Sequence, residues 1–468
     1  MDVGLATGSQ HVQHLESSLG GDPADTWDYH KRLFPVDKMD IISIVCAGAG
    51  LSIAASGGVG GGGMLVPIFI LLLGFHAKHA IALANFTIFG GAIANTWLNA
   101  PKKHPQRNLP LIDWDLVVIM EPLTIFGAVF GSLLSKVLPN IFLTLSLVLL
   151  LGYTGHRTMK KGVLMWNQEG RVREEAQPLD TDLNPAPCDQ PLGGEAVSPA
   201  TLDVDVDRPY LDLEETECQA TPATASETTV ETTAEPQNGT RSKVQGLTLC
   251  FAGIVLLTVL RGGGQFPSPL GVSCGGAGFW WLYFSCLPWV LGFAVYFRSM
   301  LVADYESKVQ TGYSFTEGEI KWTPRNTVVY PLICALAGLC AGLFGVGGGI
   351  VKGPLMLEMG VVPAVASATS AAMILFTSAA ASVSFVVFGL LQVEYAALFF
   401  LLGFTVTATS QVYVTRWVSR NNRQSPIVLS IGVVVSLSAV LMAINTVVMA
   451  AGKSGYELVK PHGVCSAS

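Results

Sequence analysis

Charge is what this sequence has least of. Charged residues make up 13% of its 468 positions, against about 25% in an ordinary soluble domain, and most of them fall in two polar stretches. The long segments between are nearly uncharged, which excludes a soluble globular fold. There is no basic stripe interleaved with aromatic residues, which excludes a nucleic-acid partner. The nine cysteines show no metal-ligand spacing. Cys46, Cys250, Cys334 and Cys340 sit in apolar runs, where cysteine behaves as a small hydrophobe. No metal and no cofactor are expected. The reactive sets of membrane-embedded enzymes are missing too: the apolar blocks hold no His-Glu-x-x-His step, no paired aspartates and no Ser/His pair. An enzyme is not expected. Residues 1–39 are polar and acidic and lack the apolar core of a signal peptide, so the first apolar segment is expected to direct insertion itself.

What is present is hydrophobic length. Half of the residues are hydrophobic and the mean hydropathy is +0.48. A helix needs about 20 apolar residues to cross a bilayer, and runs of that order occur at 80–99, 116–137, 140–157, 244–260, 278–297, 363–389, 393–415 and 427–450. In lipid each backbone N–H and C=O must be satisfied within its own helix or within a closed barrel. These runs are continuous rather than alternating in ten-residue pieces, so the fold class is an all-α polytopic membrane protein and not a barrel. The protein is expected to be integral to a plasma membrane or endomembrane.

The organisation reads as a polar tail (1–39), a first apolar repeat (40–158), an acidic linker (159–243), connecting helices with a basic loop (244–326), a second repeat (327–452) and a short tail (453–468). The linker contains TECQATPATASETTVETTAEPQ and few large apolar residues. Such a stretch does not bury enough surface to offset its ordering entropy. It is expected to be disordered and cytoplasmic, and available to a cytoplasmic partner.

A repeat is visible inside the apolar blocks. Gly58-Val59-Gly60-Gly61-Gly62 is followed by Pro67, Gly74 and a small-residue helix from Ala80. Gly345-Val346-Gly347-Gly348-Gly349 is followed by Pro354, Gly360 and a small-residue helix from Ala364. Basic residues mark the cytoplasmic side: Lys102, Lys103 and Arg107; Arg157, Lys160 and Lys161; Arg298, Lys321 and Arg325; Arg416, Arg420 and Arg423. All four groups share one side only if each glycine cluster turns a short helical hairpin. Five crossings then separate the hairpins, which enter from opposite faces. The expected architecture is therefore two inverted repeats, each opening with a glycine-broken short hairpin, as in many secondary transporters.

The stretches SGGVGGGGMLVPIFILLLGF, HPQRNLPLIDWDL and GYTGHRTMKKG, and in the second half GLCAGLFGVGGGIVKGPLMLEMGVVPAVASATS, together resemble the TauE/SafE family of membrane permeases. The resemblance covers roughly 40–165 and 327–450. Leu357-Glu358-Met359-Gly360 is similar to the plant-type eukaryotic branch. Membership implies a carrier of sulfite or of an organosulfonate or sulfur-containing carboxylate. The long acidic linker departs from compact bacterial members.

The residues themselves supply candidates for binding a small anion. Glycine permits unwound backbone, and a helix restarting after such a break presents free N–H groups and a positive dipole end. Gly60, Gly61 and Gly62, and Gly347, Gly348 and Gly349, are the first candidates; tight helix packing is their alternative role. Ionisable residues inside a membrane are costly and mark function. Lys352 is a candidate for direct anion binding. Glu358 is a candidate to pair with it or to take up a coupling proton, and Glu121 is a second proton candidate unless it lies shallow enough to meet headgroup water. Asn85 and Thr87 on one helix, and Ser367, Thr369 and Ser370 on the other, offer neutral donors, with interhelical hydrogen bonding as the alternative. The functional expectation is alternating access around a midplane site. A membrane adaptor or receptor acting through the acidic linker is the competing class.

Overall fold

In the computed structural model the described residues are 33–56, 60–104, 109–175, 237–263, 266–313, 320–421 and 425–452. The chain divides into Met1–Arg171 with Ala234–Ser468, and Val172–Thr233. In the second unit the described residues, 172–175, continue a helix; the rest of the predicted linker core, 176–236, lies outside the described residues.

The first unit is helical. Its helices are α1 (Lys38–Ser56), α2 (Gly62–Leu71), α3 (Ala77–Asn99), α4 (Trp114–Val137), α5 (Asn140–Glu175), α6 (Gln237–Arg261), α7 (Ala277–Gln310), α8 (Asn326–Phe344), α9 (Gly349–Glu358), α10 (Pro363–Phe388), α11 (Val393–Asn421) and α12 (Ser425–Gly452). Nine of the helices among the described residues are long and apolar enough to cross a membrane. The protein is an integral, multi-pass membrane protein. The apolar runs of the sequence sit within these helices, but α5 extends past residue 158 to Glu175 and α7 past 297 to Gln310, where polar residues carry the helix beyond its apolar part.

Side-chain contacts fix which helix ends lie together. At one end, Tyr395 donates to Asp40 (3.1 Å) and His79 Nδ1 lies 2.9 Å from the Leu390 carbonyl. Lys136 donates to the Phe388 carbonyl at 3.0 Å. This end therefore gathers the starts of α1, α3 and α11 and the finishes of α4 and α10. At the other end, the Asp113 N–H donates to Thr369 Oγ1 (3.0 Å). Lys243 pairs with Asp115 (2.6 Å), and Arg298 donates to Thr327 (3.3 Å). The starts of α4, α6, α8 and α10 and the later part of α7 lie here. The basic positions Lys102, Lys103, Arg298, Lys321 and Arg325 belong to the same end.

The two short helices follow from this. α2 and α9 have ten residues each, about 15 Å, half of a hydrocarbon core about 30 Å thick. After α2 the chain returns to the end where α1 began, since the Phe75 ring lies 5.3 Å from that of Tyr395. After α9 it returns to the end where α8 began, where Val361 lines a cavity with Asp113, Trp114 and Trp322. The packing partners also correspond: α4 lies on α8 as α11 lies on α1, α3 lies on α11 as α10 lies on α4, and α3 and α10 pack on each other. Small residues permit this closeness. A Cβ at Gly127 or Gly131 would overlap α8 backbone, and one at Gly338 or Gly342 would overlap α4 backbone, the small-residue packing that membrane interiors favour.

Candidate functional site

The two glycine breaks meet. Gly60 and Gly61 adopt φ of 84° and 71° before α2, and Gly345, Gly347 and Gly348 adopt 69°, 74° and 70° before α9, a left-handed conformation that side chains with a Cβ resist. A Cβ added at Gly62 would overlap the Gly345 carbonyl and Val346 Cα, so backbone of one break lies directly on backbone of the other. Ile88 of α3 and Ile374 of α10 sit at matching places, each against glycines of both breaks. Beside them is a cavity of about 30 Å³ lined by Leu51, Gly60, Gly91, Asn95, Ile374 and Thr407, room for about one or two waters.

Next to the second break lies a buried polar triad. Lys352, one turn into α9, donates to Glu121 Oε2 at 2.8 Å and to Thr377 Oγ1 at 2.9 Å. Thr377 passes its own proton toward Glu121 Oε1 at 2.5 Å. All three side chains are fully buried. Lys352 thus holds a carboxylate across three helices, α4, α9 and α10. A buried ion pair survives desolvation only when its geometry and additional hydrogen bonds are good, and the threonine supplies the additional bonds to both partners.

The carboxylate that Lys352 holds is that of Glu121, 231 residues away in sequence. The Glu358 side chain lies outside the described residues. Glu121 is buried and does not reach headgroup water.

The neutral candidates divide. Asn85 reaches the second hairpin, with Nδ2 3.4 Å from the Ala341 carbonyl, while its buried Oδ1 has no hydrogen-bond partner. Ser370, fully buried, also lacks a partner for its hydroxyl, and Thr377 follows it seven residues later, two turns along the same face. Thr87 instead bonds its own helix at the Leu83 carbonyl (2.8 Å). Thr369 accepts from the Asp113 N–H near the end of the bundle. Ser367 is partly exposed, one turn from the start of α10, away from the breaks. Thr377 was not anticipated from sequence, although its spacing from Ser370 was the available signal.

At the basic end a cavity of about 140 Å³ is lined by His104, Asp113, Asp115, Lys243, Asp304 and Lys308 among others. Asp113 caps α4, accepting from the Asp115 and Leu116 N–H groups (3.0 and 3.2 Å). Desolvation, and secondly the neighbouring Asp115, push its carboxyl up to about 6.

The fold is that of an all-helical, multi-pass membrane protein. The family model described as "Sulfite exporter TauE/SafE" matches residues 42–187 and 241–451: the chain belongs to the TauE/SafE family. It is 26% identical over 422 residues to "Sulfite exporter TauE/SafE family protein 1" of Arabidopsis thaliana, covering 89% of this chain and 85% of the relative. It is 28% identical over 406 residues to family protein 3 of the same plant, covering 86% and 78%. No solved structure matches it.

Proposed function

We propose that this protein carries a small anion, sulfite or an organosulfonate or sulfur-containing carboxylate, across its membrane by alternating access between two inverted repeats. The observation that carries the reading is the meeting of two glycine-broken hairpins, which return to opposite ends of the bundle, against a buried lysine. Half-helix N-termini present unsatisfied N–H groups and a positive dipole end to an anion. Gly60 to Gly62 and Gly347 to Gly349 supply that backbone, Asn85 and Ser370 supply neutral polar groups, and Lys352 supplies the charge. The basic end of the bundle faces the cytoplasm by the positive-inside rule. The names of the Arabidopsis relatives support sulfite as the first substrate to test.

In this mechanism the arriving anion competes with Glu121 for the Lys352 ammonium, and Glu121 leaves the pair by accepting a proton. The site then keeps its net charge, and anion and proton travel together. Rocking of one repeat against the other exposes the site alternately at the two ends. The α1–α3–α11 and α8–α4–α10 groupings are the units that would move.

The test is uptake of radiolabelled sulfite, sulfate and a small sulfonate into proteoliposomes, with Gly348→Leu and Glu121→Gln beside the wild type. Saturable flux of one anion, lost in Gly348→Leu and freed of its dependence on a pH gradient in Glu121→Gln, is the expected result. Absence of flux for all three anions, with and without a proton gradient, overturns the reading.

A further inference from the structure

We infer that Arg261 forms a second oxyanion-binding site, at the end of the bundle opposite the basic loops. Arg261 is the last residue of α6 and is 2% exposed. Its guanidinium carbon lies 5.1, 4.9 and 5.0 Å from the ring centres of Phe279, Tyr283 and Phe388. Its Nε and Nη2 are buried and have no hydrogen-bond partner.

Two further buried cations occupy the same end, and their contrast with Arg261 carries the argument. Lys78 donates to the Lys136 carbonyl at 2.6 Å, and Lys136 donates to the Phe388 carbonyl at 3.0 Å. Each lysine therefore caps the negative end of a neighbouring helix, α4 and α10 respectively, which accounts for its burial. Arg261 caps nothing. Aromatic faces attract a cation through their quadrupole, yet they offer no lone pair to N–H groups in the guanidinium plane. A buried charged donor without an acceptor is costly, and the rings leave that cost standing.

The two orphan nitrogens are adjacent and form the side-on edge of the guanidinium fork. That edge matches two oxygens on one central atom, as in sulfite, sulfate, a sulfonate or a phosphate. A neutral group stands beside it: the Tyr283 hydroxyl, whose ring covers the guanidinium, is buried and unpartnered. No carboxylate pairs with Arg261, Lys136 or Lys78 among the described residues, so the ligand's negative charge is the missing partner. A free oxyanion and a phospholipid headgroup share this chemistry. The inference stands apart from the Lys352 site, and its failure leaves that site untouched.

The test is equilibrium binding of radiolabelled sulfite to the full chain, delipidated in detergent, with bound phospholipid counted by mass spectrometry. Lys352→Met removes the first site from view; Arg261→Gln and Arg261→Lys are then made in that background and checked for monodispersity. Arg261→Lys keeps a cation among the rings and loses the fork, so it serves if Arg261→Gln does not fold. One saturable sulfite site in Lys352→Met, weakened about tenfold or more by either Arg261 change, establishes the site for a free anion. Loss of a copurifying anionic lipid in the Arg261 variants, with no sulfite bound, establishes it for a headgroup. No change in either ligand overturns the inference and leaves Arg261 a cation held by rings alone. Sulfite bound at Arg261 without flux in any assay would sink the transport reading and spare this one.

Discussion

Replacing Lys352 by methionine removes the charge and keeps the stem. The ammonium lies 2.8 Å from Glu121 and both side chains are fully buried, so at an effective dielectric near 20 their attraction is about 6 kcal/mol. Most of this offsets desolvation, and the pair as a unit contributes little. One partner removed is a different matter, because the other remains as an uncompensated buried charge, at about 3–5 kcal/mol. Lys352→Met is therefore expected to lower the unfolding midpoint in detergent, read at one scan rate, by about 3–8 °C. Glu121→Leu should do the same. The double variant Glu121→Leu/Lys352→Met places apolar groups against each other and should recover most of the loss, while flux stays abolished. Single variants as stable as the wild type, or a double variant that loses the sum of both, would refute the triad as the anchor of these three helices.

Three further outcomes follow from the geometry. Gly62→Ala drives a Cβ into the Gly345 carbonyl, so folded protein should be lost on size exclusion; Gly348→Ala has room and only its φ of 70° against it, costing about 1–2 kcal/mol, and should remain folded with reduced flux. Thr377→Val leaves both members of the pair short of a hydrogen bond and should destabilise by about 1–3 kcal/mol, whereas Thr377→Ser should be near neutral in the same melt. Asp113, raised from 3.8 to about 6, holds its proton more tightly folded than unfolded. Its contribution to stability is complete below pH 4 and is lost as pH rises through 6, an effect of at most about 3 kcal/mol and less because the residue is partly exposed. Asp113→Asn keeps the cap and should flatten the melting temperature between pH 4 and pH 7; an unchanged pH profile in the variant refutes the assignment.

The membrane class, the helices and the two glycine breaks were legible in the sequence because lipid acts on each segment alone. A run such as 116–137 either satisfies its own backbone in hydrocarbon or does not enter it, and a cluster such as Gly345 to Gly349 interrupts a helix wherever it is placed. Lys352 was legible for the same reason, as a charge inside an apolar stretch. Its partner was not. Glu121 and Thr377 are 231 and 25 residues away, and only the crossing of α4, α9 and α10 brings them together. Arg261 shows the same division: its sequence position marks only the end of an apolar run, and its rings arrive from α7 and α10. Local solvation fixes what each segment is; long-range packing alone decides which buried charge finds a counter-charge and which is left to find one in a ligand.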